Sequence, residues 1–154
     1  MIEIVQATTP SQMQTLQGLF REYEAFLQVD LCFQGFEEEL ASLPGRYTPP
    51  QGALLLATAS GQAAGCVAMR PLDAGVCEMK RLYVRPTYLG KGIGKKLALS
   101  VIERAREAGY ARMRLDTLEK LGPALSLYTA LGFQKCSPYY ENPLSGVIYM
   151  HRRL

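Results

Sequence analysis

The stretch EMKRLYVRPTYLGKGIGKKL, Glu78–Leu97, decides the fold. It opens inside a strand, VCEMKRLYV (Val76–Val84), that Pro86 ends. It then packs three glycines and three lysines into Leu89–Leu97, before an apolar helical pattern sets in. Glycine is a poor helix former, and lysine sits badly at a helix N-terminus, where the backbone dipole is already positive. Both oddities disappear if an anion lies there. The N–H groups of a first helical turn have no internal partner, and glycines let a phosphate approach them closely. Gly90, Gly92 and Gly94 give G-x-G-x-G, not the G-x-G-x-x-G of a dinucleotide site. A P-loop needs glycine at the position of Leu89 and Ser or Thr at that of Lys96. The stretch reads as a phosphate or pyrophosphate cradle of another kind, or as a glycine-rich turn with solvated lysines.

Working outward, the helix after the glycines runs from about Ile93 to Ala108, with Leu97, Val101, Ala105 and Ala108 as its apolar stripe and Gly109 as its stop. ARMRLDTL (111–118) is a strand, GPALSLYTALGF (122–133) a helix stopped by Gly132, FQKCSPYY (133–140) a strand, and GVIYMHRRL (146–154) a last strand. Upstream, Ala53–Ala59 and Ala63–Arg70 form a hairpin around Ser60-Gly61-Gln62. At the start, Glu3–Val5 lies in a short strand. A long helix follows, capped by Thr9 or Ser11, with Met13, Leu16, Leu19/Phe20, Tyr23 and Phe26/Leu27 at helical spacing. GFEEELASLPG (35–45) is a second, shorter helix. The strand–helix–strand unit around the glycines allows strands 76–84 and 111–118 to lie parallel, with meander pairing elsewhere.

The chain resembles the GCN5-related N-acetyltransferases, which transfer acyl groups from coenzyme A. EMKRLYVRPTYLGKGIGKKL resembles that family's fourth strand and pyrophosphate loop, LYTALGF (127–133) its later helix and sixth strand, and the order of elements matches over essentially the whole chain. The resemblance implies an α/β (α+β) acyl-CoA N-acyltransferase fold in one domain, residues 1–154. Its sheet is mixed, mostly antiparallel and seven-stranded, with flanking helices and a splay between strands 4 and 5 where acetyl-CoA inserts. It implies that the cosubstrate is held by Leu82, Tyr83 and Val84 of strand 4 and by the loop Leu89, Gly90, Lys91, Gly92, Ile93, Gly94 and Lys95, with Arg85 and Lys96 as further charges. One position departs from the family pattern: Leu89 stands where Arg or Gln is usual.

Acyl transfer to an amine needs a neutral amine, a polarised thioester carbonyl, aligned reactants and a stabilised leaving thiolate. Tyr128 occupies the family position whose hydroxyl approaches the coenzyme sulfur; by spacing alone it is a helix tyrosine capping the core. A phenol of pKa ~10 giving its proton to a thiolate of pKa ~8.5 is uphill by about 2 kcal/mol, so Tyr128 either donates a hydrogen bond or needs a lowered pKa. Glu78 stands where some members carry a catalytic glutamate. Alternation puts Glu78, Lys80, Leu82 and Val84 on one face, and Glu78 is either substrate-facing or paired with Lys80 or Arg81. As a base it faces a gap of about 8 kcal/mol to an ordinary amine unless its pKa is raised. For the acceptor, Asp30, Tyr140 and Asn142 are the candidate contacts, the last two because an aromatic pair before Asn-Pro is a costly surface feature without a partner.

Composition sets the remaining bounds. Of 154 residues, 48% are hydrophobic and 20% charged, an ordinary globular balance. MIEIVQATTP lacks the order of a signal peptide, and the default location is the cytoplasm. Cys32, Cys66, Cys77 and Cys136 form no C-x-x-C pair and read as reduced, buried thiols. With a single histidine, His151, no metal site is expected. Net charge is +3, yet residues 1–45 hold seven acids against one base. This is either solvated helix faces or an acidic surface for a cationic ligand opposite a basic one for an anion. The expected reaction is direct acetyl transfer from acetyl-CoA to a small-molecule amine, with a protein or peptide amine, or a silent CoA-binding sensor, as alternatives. Neither nucleic acid nor a membrane is expected as partner, and a homodimer is left open.

Overall fold

The computed structural model describes every residue, Met1–Leu154. In chain order the elements are β1 (Ile2–Gln6), α1 (Pro10–Leu27), α2 (Phe36–Ala41), β2 (Ala53–Ala59), β3 (Gln62–Asp73), β4 (Val76–Val84), α3 (Ile93–Glu107), β5 (Arg112–Leu118), α4 (Gly122–Ala130), β6 (Gln134–Cys136) and β7 (Val147–Arg153). One seven-stranded sheet has the order β1-β2-β3-β4-β5-β7-β6, and all of its pairings are antiparallel except β4 with β5.

Local chemistry explains the elements. Thr9 caps α1 by accepting from Gln12 N at 3.2 Å, while the Gln12 side chain accepts from Thr9 N, a reciprocal capping box with Pro10 at the first helical position. Leu16, Leu19, Phe20 and Leu27 are the buried face of α1. In α3 the buried face is Ile93, Leu97, Ala98, Val101, Ile102 and Ala105; it holds Leu97, Val101 and Ala105 of the expected stripe, while Ala108 is the half-buried C-cap. The expected strand 133–140 is cut to Gln134–Cys136: Pro138 has no N–H to give a ladder, and Tyr139 and Tyr140 turn to side-chain partners.

Two apolar clusters sandwich the sheet. One packs α3 and α4 against Leu55, Val67, Met69, Met79 and Leu115; the other packs α1 and α2 against Leu54, Leu56, Cys66, Ala68 and Tyr83. Deleting a fully buried side chain in either, such as Leu97 or Leu16, costs about 2–5 kcal/mol. Cys66 and Cys77 are buried thiols that burial pushes up, whereas Cys32 is exposed and Cys136 half-buried, against expectation.

The expected alternation along β4 fails. Cys66 pairs with Tyr83 and Ala68 with Lys80, so Val67 alone stands opposite both Arg81 and Leu82. This is a bulge, and Arg81 takes a left-handed conformation, φ 62°, to make it. Side chains beyond it change faces. Glu78, Lys80, Arg81 and Tyr83 turn toward α1 and α2, while Leu82 and Val84 join Met79 on the α3 side. β4 also runs close to β3. A Cβ at Gly65 would lie 2.5 Å from the Tyr83 carbonyl oxygen, so only glycine fits there.

Three of the seven acids in the first 45 residues are paired within the fold. Glu39 binds Arg81 with two bonds of 2.9 and 3.0 Å, Glu22 binds Arg85 at 2.8 Å, and Glu37 meets Arg21 at 3.3 Å. Glu22 and Glu39 thus tie α1 and α2 to the end of β4, while Glu3, Glu24, Asp30 and Glu38 pair with no base.

Candidate active site

Strands β4 and β5 pair at only three registers, Val76 with Arg112, Cys77 with Met113 and Glu78 with Arg114. Beyond Glu78 they part, and a cavity of about 310 Å³ opens between them. Its walls come from α1, β4, the glycine loop, β5, α4 and the segment after Tyr140. The β5-facing edge of β4 past Glu78 thus has no strand partner.

The glycine loop closes one end. Gly90 and Gly92 sit at φ 80° and 77°, where a side chain is strained whatever the space around it. Gly92 is the N-cap of α3 and has no side chain to cap with. The N–H groups from Lys91 to Lys95 donate to no backbone carbonyl; the first such bond is Lys96 N to Gly92 O at 3.1 Å. Five donors and the positive helix end face outward together, a constellation that fits a pyrophosphate. Lys91, Lys95 and Lys96 are exposed, with the Lys91 ammonium 5.6 Å from the Tyr88 ring centre. Arg85 is not a free charge for this site, because Glu22 and the Ala63 carbonyl engage it. Leu89 lines the cavity and is 62% exposed.

Of the residues singled out from sequence, Leu82, Tyr83, Val84, Leu89, Gly90, Gly92, Ile93, Gly94, Tyr128 and Asn142 line the cavity; Lys91, Lys95, Glu78, Tyr140 and Asp30 do not. Tyr128 is held edge-on to Phe133, 5.9 Å between centres, and burial raises its phenol well above the ordinary range. Its hydroxyl makes no hydrogen bond to the protein. Asp30 is exposed and caps a turn by accepting from Cys32 N at 2.8 Å; its neighbour Leu31, not Asp30, lines the cavity.

Glu78 is fully buried beneath the cavity rather than on its wall. Arg70 Nε donates to its Oε1 at 2.8 Å and the Tyr139 hydroxyl to its Oε2 at 2.6 Å, with Lys80 Nζ at 4.0 Å. Burial pushes its carboxyl up, but Lys80, Arg70 and the Tyr139 bond outweigh burial and hold it below the ordinary value. A base needs the opposite shift, so this arrangement suits a structural anion better than a proton acceptor. Of the two expected partners, Lys80 stands at 4.0 Å and Arg81 binds Glu39 instead; the close partner is Arg70, which was not expected.

Three residues that sequence reasoning did not single out complete the far end of the cavity: Gln34, Lys80 and Asp116. Asp116 Oδ2 accepts from the Tyr140 hydroxyl and from Asn142 Nδ2, the latter at 2.9 Å. Asn142 Nδ2 also reaches the Tyr140 oxygen at 2.9 Å, and Asn142 Oδ1 accepts from Leu144 N at 2.9 Å. Tyr139, Tyr140 and Tyr149 pack ring against ring at 5.4–5.8 Å. Burial first, and the neighbouring carboxylates second, raise the Tyr139 and Tyr140 phenols, so both remain donors. Lys80 is buried, and desolvation lowers it to about 8 although Glu78 pulls it upward. The signal for Asp116 was an acid within the apolar strand pattern RMRLDTL (112–118).

The Acetyltransferase (GNAT) family model matches residues 16–133. This chain belongs to that family. It is 42% identical over 151 residues to an uncharacterized N-acetyltransferase of Schizosaccharomyces pombe, covering 97% of this chain and 93% of the relative. Its fold is shared with a GNAT-family acetyltransferase from Staphylococcus aureus (TM-score 0.83, 22% identity, 99% of each chain). It is shared as well with the PaiA N-acetyltransferase of Thermoplasma acidophilum in complex with coenzyme A (TM-score 0.76, 22% identity, 100% of this chain and 99% of that one). Family membership makes the protein an acyltransferase.

Proposed function

We propose that this GNAT protein transfers the acetyl group of acetyl-CoA directly to the amine of a small molecule. The observation that carries this reading is the splay: the unpaired edge of β4 from Leu82 to Val84, the donor-rich start of α3 and Tyr128 all face one cavity. The pyrophosphate sits against the N–H groups of Lys91–Lys95, and the pantetheine arm runs along Leu82–Val84, whose main chain supplies hydrogen bonds. The acetyl group then lies between the parted strands, with the acceptor entering from the Gln34, Asp116 and Asn142 end.

Acetyl-CoA supplies an activated thioester. The amine lone pair attacks its carbonyl carbon, the carbon–sulfur bond breaks, and the thiolate leaves. An acceptor that arrives as an ammonium gives up two protons: one leaves with the coenzyme thiol and the other goes to solvent. Tyr128 serves as a hydrogen-bond donor to the developing thiolate. Its raised phenol makes full proton transfer still more uphill than the ~2 kcal/mol of an unshifted pair. Glu78 holds Arg70, Lys80 and Tyr139 in place beneath the acceptor end.

The test is acetyl-CoA affinity together with free-thiol release across a panel of small amines and lysine peptides. Micromolar acetyl-CoA binding with thiol release on small amines is expected. Binding without turnover on any amine points to a sensor, and turnover on peptides alone points to a protein acetyltransferase.

A further inference from the structure

The acceptor end of the cavity holds unmet hydrogen-bonding capacity of both signs. Gln34 Nε2 donates to the Tyr140 oxygen at 3.3 Å, while Gln34 Oε1 is buried without a partner. The neighbours fix that amide's orientation. Tyr140 gives its proton to Asp116, so what it needs from Gln34 is a donor, and the oxygen is left over. Asp116 takes both of its bonds on Oδ2, leaving Oδ1. A buried acceptor without a partner costs about 1–3 kcal/mol, which a ligand N–H recovers.

Across the cavity stands the opposite case. The Lys80 side chain is only 3% exposed, and its one ion-pair contact, Glu78 Oε2, lies at 4.0 Å, beyond hydrogen-bond reach. Glu78 is itself committed to Arg70 and Tyr139. No protein hydrogen bond engages the three donors of Lys80, and the residue lines the cavity. Lys80 and Asp116 each follow the last β4–β5 register, Glu78 with Arg114, by two residues, so they flank the opening on the same face of the sheet. Between them the wall is apolar, with Tyr23, Phe26, Leu31 and Leu144.

A ligand that satisfies all of these groups carries an amine, an anion and an apolar body. We infer that the acceptor is an α-amino acid with an apolar side chain: Lys80 binds its carboxylate, and Gln34 Oε1 and Asp116 Oδ1 receive its amine. This rests on the acetyl transfer proposed above and names the substrate class of the same site. The product is an N-acetylated amino acid with its carboxylate intact.

The test compares L-phenylalanine, phenethylamine and 3-phenylpropionate with the purified full chain. Binding to the protein–CoA complex is measured by calorimetry, and kcat/KM with acetyl-CoA by thiol release. L-Phenylalanine should bind the complex more tightly than either single-charge analogue and exceed phenethylamine in kcat/KM by about tenfold or more, the scale of one hydrogen bond to a charged group. Lys80→Met should bring that ratio near one, and Lys80→Arg should restore part of it. Equal or better use of phenethylamine by the wild type overturns the inference without any variant, as does failure of L-phenylalanine to bind the CoA complex. Failure of acetyl-CoA itself to bind is a different result, and it overturns the proposed function.

Discussion

Lys80 and Asp116 stand on facing strands, each two residues past the last register that joins β4 to β5, and both line the cavity that opens there. A cation and an anion thus flank the splay, yet Lys80 has its one ion-pair contact with Glu78, at 4.0 Å. Burial without a close partner brings Lys80 from an ordinary 10.5 down to about 8. Between these values the unfolded chain holds the proton and the folded chain does not, so Lys80 makes stability rise with pH across that window. Below about 8 both states hold it and the slope vanishes. Cys66 and Cys77 slope the other way above their unfolded values, so the informative quantity is a difference. Urea unfolding should show wild-type stability rising relative to Lys80→Met between about pH 8 and 10. A difference independent of pH contradicts the assignment.

Tyr128 faces the cavity with an unbound hydroxyl and a phenol that burial keeps protonated. Tyr128→Phe should lower kcat by about 10- to 100-fold, as expected for a lost hydrogen bond to developing charge, while acetyl-CoA affinity stays within about twofold. Unchanged turnover removes Tyr128 from the reaction.

Glu78→Gln should act on stability more than on the proton inventory of the reaction. It leaves Arg70 and the buried Lys80 without their anion, at a cost of about 3–5 kcal/mol, seen as a lower urea midpoint. The folded carboxyl lies below its unfolded value, so its contribution is present above the unfolded pKa and lost as pH falls through the folded one. The variant should lose that acid-side dependence. The acid limb of kcat/KM should follow the pKa of whichever amine is supplied. A limb fixed across amines and abolished by Glu78→Gln would make Glu78 the base.

Leu89 places an apolar side chain, 62% exposed, beside the loop that the pyrophosphate is proposed to meet. Leu89→Arg costs the core nothing and adds a charge-assisted donor. Acetyl-CoA should bind about two- to tenfold tighter by calorimetry, with the gain shrinking in high salt. No change would place the phosphates elsewhere.

Much of the fold was legible because it rests on local signals. Thr9 and Pro10 announced α1, the α3 stripe showed at Leu97, Val101 and Ala105, and the glycine loop stood out against helix chemistry. The bulge was not legible. Nothing in KRLYV marks Arg81 for a left-handed conformation, yet that one residue sends Leu82 and Val84 to the opposite face from Lys80. The cavity end where the acceptor is proposed to bind was legible only in part. Asn142 was found from its Tyr-Tyr-Glu-Asn-Pro setting, whereas Gln34 and Asp116 lie about eighty residues apart in sequence and meet only through Tyr140. Asp30 looked like a cation contact by charge alone and proved to be a turn cap.

The central claim is that acetyl-CoA lies in the splay with its pyrophosphate on the start of α3. Titration of acetyl-CoA into ¹⁵N-labelled protein, followed by amide NMR, tests it most directly. The account predicts the largest amide shifts at Lys91–Lys95, a second set at Leu82–Val84, and loss of both in Gly92→Asp. Saturable binding that leaves the Lys91–Lys95 amides unmoved would contradict it.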